Sequence, residues 1–178
     1  MPRLNVIEPD TASSKVKELY EDAQQEFGNV FNLFKGLANA PGALEAYITL
    51  ERLIAAGKLS PAEQETVRLT ASQFNGCEYC LAAHSMTASM KGLSNEEILA
   101  IRRGEPSDPK LAALVQFTRR VLETKGSVRD DEIQAVRAAG YTDEHMSEVV
   151  TILAQKTLSN YFNHIHQTPL DIPAAAKL

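Results

Sequence analysis

The stretch from Glu65 to His84 reads ETVRLTASQFNGCEYCLAAH and holds both cysteines of the chain. Asn75-Gly76 is a turn signal, and the residues on either side are good helix formers without proline. The stretch therefore predicts two helices joined by a short turn, with Cys77 at the start of the second helix.

A helix start also precedes this stretch. Ser60 is a good N-cap, Pro61 suits the first helical position, and Glu63 completes a capping box. We expect the helix that begins here to end near Phe74.

The two cysteines have the spacing of a redox pair. A C-x-x-C spacing places both sulfurs about one turn apart on one face of a helix. A disulfide across so short a loop adds little stability, so the pair suits chemistry better than scaffolding. Because a helix N-terminus favours thiolates, we expect the pKa of Cys77 to lie below the free value of about 8.5. Cys77 is then the cysteine expected to be more reactive toward other thiols.

His84 and Glu65 extend the pair into a predicted proton relay. His84 follows Cys80 by four residues and Cys77 by seven, so the three side chains share one stripe. If the helices run antiparallel, a rise of about 1.5 Å per residue brings Glu65 and His84 nearly level. The predicted order is Glu65, His84 and then Cys80, with room for a bridging water at the last step. Such a relay can activate a thiol and protonate a leaving oxygen.

The pattern E-x11-C-x2-C-x3-H resembles that of alkyl hydroperoxidase D, in the AhpD-like branch of the carboxymuconolactone decarboxylase family. The segments Phe27–Phe34 and Asn160–His164 resemble peroxidase-related members of similar length, so the resemblance covers nearly the whole chain. The decarboxylases of the family do not need a C-x-x-C pair. The two cysteines therefore argue against that branch.

The resemblance implies a cofactor-free thiol peroxidase of antioxidant defence. By that resemblance Cys80 attacks a hydroperoxide and becomes a sulfenic acid, and Cys77 resolves it as a disulfide. Glu65 and His84 take the relay roles, and an external dithiol such as a lipoyl domain reduces the disulfide. The type member has a histidine immediately before its second cysteine, whereas this chain has Tyr79.

Two alternatives remain open on the residues. The first is a dithiol-disulfide oxidoreductase adaptor that passes electrons to a partner peroxiredoxin without reacting with peroxide itself. The second is a non-enzymatic zinc-binding or interaction module, with Cys77, Cys80, His84 and Glu65 as ligands. Structural zinc usually recruits a second Cys/His pair from elsewhere in a chain, so we expect no bound metal.

Composition limits the class of protein. The 178 residues are 44% hydrophobic and 23% charged, which suits one domain over 1–178. The net charge of −5 and the scattered lysines and arginines argue against nucleic-acid binding. The N-terminus lacks the long apolar run of a signal peptide, and no segment reaches the ~18 apolar residues of a membrane helix. We expect a cytoplasmic protein without membrane contact.

The remaining sequence predicts an all-α helical bundle, because apolar residues recur at intervals of three and four and no segment alternates as a strand. The predicted helices cover 13–26, 30–38, 42–57, 61–75, 77–91, 95–103, 109–125, 129–139 and 143–166. A shift of 83 residues aligns Glu65 with Glu148, Cys77 with Asn160 and Cys80 with Asn163. A degenerate internal repeat of a helix pair is therefore a candidate.

Two clusters of rings carry weaker signals. Phe27, Phe31 and Phe34 favour a core or subunit contact over a lid beside the thiols. His164 and His166 invite a metal interpretation, but their spacing places the rings on different helix faces. A capped helix end or a subunit contact is the preferred interpretation.

Residues 167–178 predict an extended C-terminal arm, because Pro169 and Pro173 cannot continue a helix. Arms of this kind often pack on a neighbouring subunit. Together with apolar surface on short helices and the family resemblance, the arm indicates a homo-oligomer, either a trimer or a hexamer.

Overall fold

The chain folds into nine α-helices without a β-strand in the computed structural model, which describes residues 1–178. The helices are α1 (Ser14–Phe27), α2 (Asn32–Leu37), α3 (Pro41–Ala55), α4 (Pro61–Phe74), α5 (Glu78–Met90), α6 (Asn95–Arg103), α7 (Pro109–Thr124), α8 (Asp130–Ala138) and α9 (Asp143–His166). The predicted all-α fold is confirmed, and every helix lies within two residues of its expected bounds. None of these helices combines the length and the apolar character that a membrane crossing requires.

Helix α4 lies at the centre of the bundle. It is buried without a break from Glu63 to Ser72, because α5, α6, α7 and α9 pack against its different sides. A surface helix buries only one stripe, whereas polar groups on an enclosed helix need partners inside the protein. This enclosure places Glu65 and Arg68 in the interior.

Local sequence signals set the ends of α4 and the start of α5. The Ser60 hydroxyl accepts a hydrogen bond from the Glu63 amide, and the Glu63 carboxylate accepts one from the Ser60 amide, so the predicted capping box is confirmed. Helix α4 ends before Gly76, whose φ of 66° is a left-handed conformation that glycine adopts without strain. Cys77 then caps α5, with its sulfur 3.4 Å from the Cys80 amide nitrogen that donates to it.

The hydrophobic core has two main parts. One part packs α4 against α7, α8 and α9. The other joins α1, α2 and α3 to the first turn of α5, and both cysteines belong to it. The thiols therefore lie where the N-terminal helices meet α5.

The structure does not support a repeated helix pair at the predicted offset. A shift of 83 residues lays α4, the turn and the first part of α5 onto α9, which is one unbroken helix. The correspondence between Cys77 and Asn160 is therefore not a repeat of two helices and a turn.

The C-terminal arm folds back on its own chain. Asp171 accepts hydrogen bonds from the Asn32 amide and from the Tyr79 hydroxyl, each at 2.7 Å. Further along, the carbonyl of Ala176 accepts a hydrogen bond from Arg102 at 2.6 Å. The arm thereby lies across α2 and the start of α5, next to the thiols.

Candidate functional site

Two free cysteine thiols lie on the first turn of α5. Cys77 is 1% exposed and Cys80 is 2% exposed. The side-chain nitrogen of Asn163 lies within 3.8 Å of both sulfurs, so the two thiols are close neighbours. Their C-x-x-C spacing on one helical turn is the spacing of a redox-active pair.

Asn163 of α9 faces both sulfurs. Its side-chain nitrogen lies 3.2 Å from the sulfur of Cys80 and 3.8 Å from that of Cys77. The Thr168 hydroxyl donates to the amide oxygen of Asn163 at 2.6 Å, which turns the amide nitrogen toward the cysteines. Asn163 can therefore donate a hydrogen bond to a thiolate.

The structure brings Glu65 and His84 together across α4 and α5. The Nδ1 atom of His84 lies 2.9 Å from Oε2 of Glu65, and both side chains are buried. The level placement expected from helix geometry is therefore present.

The far side of His84 contacts a lysine instead of a cysteine. Its Nε2 atom lies 2.5 Å from Nζ of Lys156, which α9 contributes and which is 1% exposed. No direct hydrogen bond joins His84 to Cys80, so the last step of the predicted order, with its room for a bridging water, stays a prediction. The side chain that contacts Nε2 of His84 is that of Lys156, because α9 crosses α5 at this level.

Arg68 holds Glu65 from the opposite side. Its Nη1 atom donates to Glu65 at 2.7 Å, and its Nη2 atom contacts both carboxylate oxygens of Glu51 at 2.9 Å. Arg68 and Glu65 are both buried, and Glu51 is half-buried. A connected set of charged groups therefore runs through the interior from α3 to the histidine.

The charges of this set follow from burial and pairing. Burial alone would raise the pKa of Glu65, but His84 and Arg68 lower it to about 2. Burial and the neighbouring Lys156 lower the pKa of His84. Burial also lowers the pKa of Lys156. At neutral pH Glu65 is therefore a carboxylate, and a neutral His84 donates from Nδ1 and accepts from the lysine at Nε2.

The negative charge of the thiol pair belongs on Cys80. The hydrogen bond from the Cys77 thiol lowers the pKa of Cys80, and Lys156, His84 and Asn163 lower it further against the effect of burial. The pKa of Cys77 is raised, because its thiol donates that hydrogen bond and because it is buried. The prediction that the helix N-terminus lowers the pKa of Cys77 is therefore wrong, since the nearby donors and cation favour Cys80.

A cavity of about 510 Å³ gives access to the Cys80 side of the pair. Its apolar wall includes Phe27, Phe31 and Phe34, with the ring centroids of Phe27 and Phe34 4.8 Å apart. Phe34 is buried while the other two rings are half-buried. The phenylalanine cluster is thus core and cavity wall at once.

The geometry does not favour a zinc site. Both ring nitrogens of His84 are already engaged, one by Glu65 and one by Lys156. No group of three or more His, Cys, Asp and Glu side chains comes together in a metal-binding arrangement.

Comparison with known proteins relates this chain to one family model and to one fold. Residues 41–123 match the model of the carboxymuconolactone decarboxylase family. The alkylhydroperoxidase AhpD core structure of an uncharacterized peroxidase-related protein from Ralstonia eutropha superposes with a TM-score of 0.85 at 23% identity, over 96% of this chain and 93% of that one. This chain therefore has an AhpD-like fold, and its middle part, from α3 to α7, matches the family's sequence model.

Other solved structures share the fold of this AhpD-like protein. A peroxidase-related protein from Silicibacter has a TM-score of 0.79 at 19% identity, over 94% of this chain and 89% of that one. The debrominase Bmp8 has a TM-score of 0.72 at 16% identity, over 89% and 87% of the two chains. A comparison with curated proteins finds no match.

Sequence reasoning missed Lys156 and Asn163 in this AhpD-like site. A signal for them does exist in α9, where polar residues recur at intervals of three and four along the second half of the helix. The buried members of this stripe are Gln155, Lys156, Ser159, Asn160, Asn163 and His166. A buried polar stripe on a helix indicates a functional or networked interior, because each polar group requires a partner there.

The two histidines at the end of α9 lie on different faces, as expected. His164 is exposed, whereas His166 is buried and its Nδ1 accepts a hydrogen bond from the Leu4 amide at 3.3 Å. His166 thus anchors the N-terminal segment to the end of the helix.

Proposed function

We propose that this AhpD-like protein is a thiol-dependent hydroperoxidase, with Cys80 as the peroxidatic and Cys77 as the resolving cysteine. One observation carries the proposal. The sulfur of Cys80, whose pKa is lowered, borders a substrate-sized cavity, and Asn163 contacts this sulfur at 3.2 Å and the sulfur of Cys77 at 3.8 Å. A thiolate is the nucleophilic form of cysteine, and an adjacent thiol is what a resolving step requires.

The oxidative step uses the charges around Cys80. The thiolate attacks the terminal oxygen of the hydroperoxide, the O–O bond breaks, and Cys80 becomes a sulfenic acid. The departing alkoxide takes a proton from the Lys156 ammonium and leaves as an alcohol. The pair of Glu65 and His84 orients the lysine and stabilises the charges that change during this transfer.

The resolving step involves only the two cysteines. The Cys77 sulfur attacks the sulfenic sulfur of Cys80, a disulfide forms, and the hydroxyl group leaves with the Cys77 proton as water. An external dithiol then reduces the disulfide, and the proton released in that step recharges Lys156. One cycle converts a hydroperoxide and a dithiol into an alcohol, water and a disulfide.

The cavity favours an organic hydroperoxide. Twelve of its 22 lining residues are hydrophobic, and its volume of about 510 Å³ accommodates a substituted aromatic or a medium alkyl chain. Hydrogen peroxide alone would leave most of this apolar wall uncovered. Cumene hydroperoxide is therefore the first substrate to test.

The test measures the oxidation of the thiols directly. Reduced protein is mixed with cumene hydroperoxide, and free thiols are counted over time by alkylation and mass spectrometry. We expect rapid loss of both thiols into a Cys77–Cys80 disulfide, no reaction in Cys80→Ser, and a sulfenic acid that dimedone traps in Cys77→Ser.

Thiols that resist peroxide would contradict the proposal. If those thiols still exchange rapidly with dihydrolipoamide, the protein is instead an adaptor between a dithiol and a peroxiredoxin. The same reduced sample, after a metal analysis, separates both from a zinc-binding module, which would retain metal and resist alkylation.

A further inference from the structure

The two cysteines open toward different sides of the protein. Cys80 lines the apolar cavity, whereas Cys77 lines a separate surface groove of about 460 Å³. Tyr79 lines both spaces and forms a wall between them. The groove is lined by Gly76, Cys77, Glu78, Tyr79, Asn163, His164, Gln167 and Thr168.

We propose that a dithiol at the end of a thin arm enters this groove and attacks Cys77, while the hydroperoxide reaches Cys80 through the cavity. This inference rests on the proposed disulfide cycle, and it adds a separate entrance for the reductant. The oxidant and the reductant then never compete for one site.

Leaving-group chemistry favours attack on Cys77. A thiolate that attacks one sulfur of a disulfide releases the other sulfur, and release is faster when the released thiol has the lower pKa. Attack on Cys77 releases Cys80, whose charge is received by Asn163 at 3.2 Å and by the nearby Lys156. Attack on Cys80 would instead release Cys77, whose pKa is raised.

The electrons balance in two exchanges. The first thiolate of the dithiol forms a mixed disulfide with Cys77, and the Cys77–Cys80 bond breaks to give the Cys80 thiolate. The second sulfur of the dithiol, as a thiolate, attacks the first one and closes a cyclic disulfide. Cys77 departs and takes a proton, which restores the reduced pair.

The shape and polarity of the groove select a thin arm. Cys77 is only 1% exposed, so a cysteine on the flat surface of a folded protein cannot reach its sulfur. Only two of the eight lining residues are hydrophobic, and Glu78, His164 and Gln167 are exposed along it. An arm that carries amide groups can keep them hydrogen-bonded in the groove, whereas more than half of the residues that line the cavity are hydrophobic.

The first experiment locates the attacked sulfur. The protein is oxidised with diamide in the absence of peroxide, mixed with the small monothiol cysteamine, and quenched by rapid alkylation. A monothiol cannot close a ring, so the mixed disulfide persists long enough for mass spectrometry to locate it. We expect the adduct on Cys77, and an adduct on Cys80 would overturn the proposal.

The second experiment separates the two entrances. His164→Trp narrows the groove, and Ile165→Trp is its control because Ile165 is exposed on the same helix outside the groove. We expect His164→Trp to slow reduction of the preformed disulfide by dihydrolipoamide about tenfold or more, since access to the sulfur is obstructed. Its oxidation by cumene hydroperoxide should match that of the control.

Met90→Trp supplies the opposite variant, because Met90 is 77% exposed and lines the cavity. It should slow oxidation by cumene hydroperoxide and leave reduction by dihydrolipoamide unchanged. Equal reduction rates in His164→Trp and Ile165→Trp would overturn the inference. Faster reduction by a protein whose dithiol lies on its folded surface, and not on an arm, than by dihydrolipoamide would also overturn it. Because diamide forms the disulfide, thiols inert to peroxide but reduced through the groove would contradict the hydroperoxidase and leave the groove supported.

Discussion

The Nε2 atom of His84 lies 2.5 Å from Nζ of Lys156, so the chain of contacts that begins at Glu65 ends on a buried amine. Lys156 is also one of the groups that lower the pKa of Cys80. One side chain thereby links the carboxylate and histidine of α4 and α5 to the sulfur that we propose to be peroxidatic.

Lys156→Met should raise the pKa of Cys80, because the variant removes the nearest cation from the thiolate. The ultraviolet absorbance of the thiolate, titrated in reduced protein, reports this pKa, and peroxide oxidation should slow by about 10²-fold. Lys110→Met is the control, since Lys110 is exposed and distant from the thiols. An unchanged titration curve would show that Lys156 does not stabilise the Cys80 thiolate.

Glu65→Gln should slow peroxide oxidation about 10²-fold, because a neutral amide no longer holds His84 in one protonation state. Both thiols of the variant should still be free and open to alkylation. The readout is the rate of thiol loss with cumene hydroperoxide. The Glu65 role fails if the variant oxidises as fast as the wild type.

Acid should remove the contribution of the Glu65 carboxylate to the free energy of unfolding. Its pKa is lowered from 4.5 to about 2, so its contribution to the free energy of unfolding is complete above pH 4.5 and is lost as pH falls toward 2. Urea unfolding of wild type and Glu65→Gln between pH 6 and about 2 should show a stability difference that shrinks in that window. A constant difference would contradict the shift.

Arg68→Met should destabilise the protein by about 3–5 kcal/mol, because Glu51 and Glu65 lose their shared buried partner. Arg52→Met is the matched control. Arg52 also bridges two acids, but it lies on the surface, and we expect about 0–1 kcal/mol there. If urea unfolding gave equal losses of unfolding free energy for the two variants, burial of the arginine would not determine the size of the loss.

Tyr79→Phe should loosen the C-terminal arm, because the variant removes the hydrogen bond to Asp171. We expect faster hydrogen exchange in residues 169–176 and a stability loss of about 1 kcal/mol. Tyr161→Phe, at an exposed position of α9, should change neither quantity. Unchanged exchange in the arm would show that Tyr79 does not hold it.

The helix ends and the spacing of the two cysteines were predictable because they depend on neighbours in the sequence. The capping box at Ser60, the turn at Gly76 and the C-x-x-C spacing are each complete within a few residues. The contact between Glu65 and His84 followed from the rise of two helices around a known turn.

The partners of that pair were decided only by the tertiary structure. Lys156 lies 72 positions from His84, and Asn163 lies 83 from Cys80, so no local spacing relates them. The assignment of the thiolate also depended on them, because a pKa responds to every charge and donor that packing brings close and not only to the helix end. The sequence by itself therefore determined which groups could do chemistry, and the crossing of α9 over α5 decided which sulfur carries the charge.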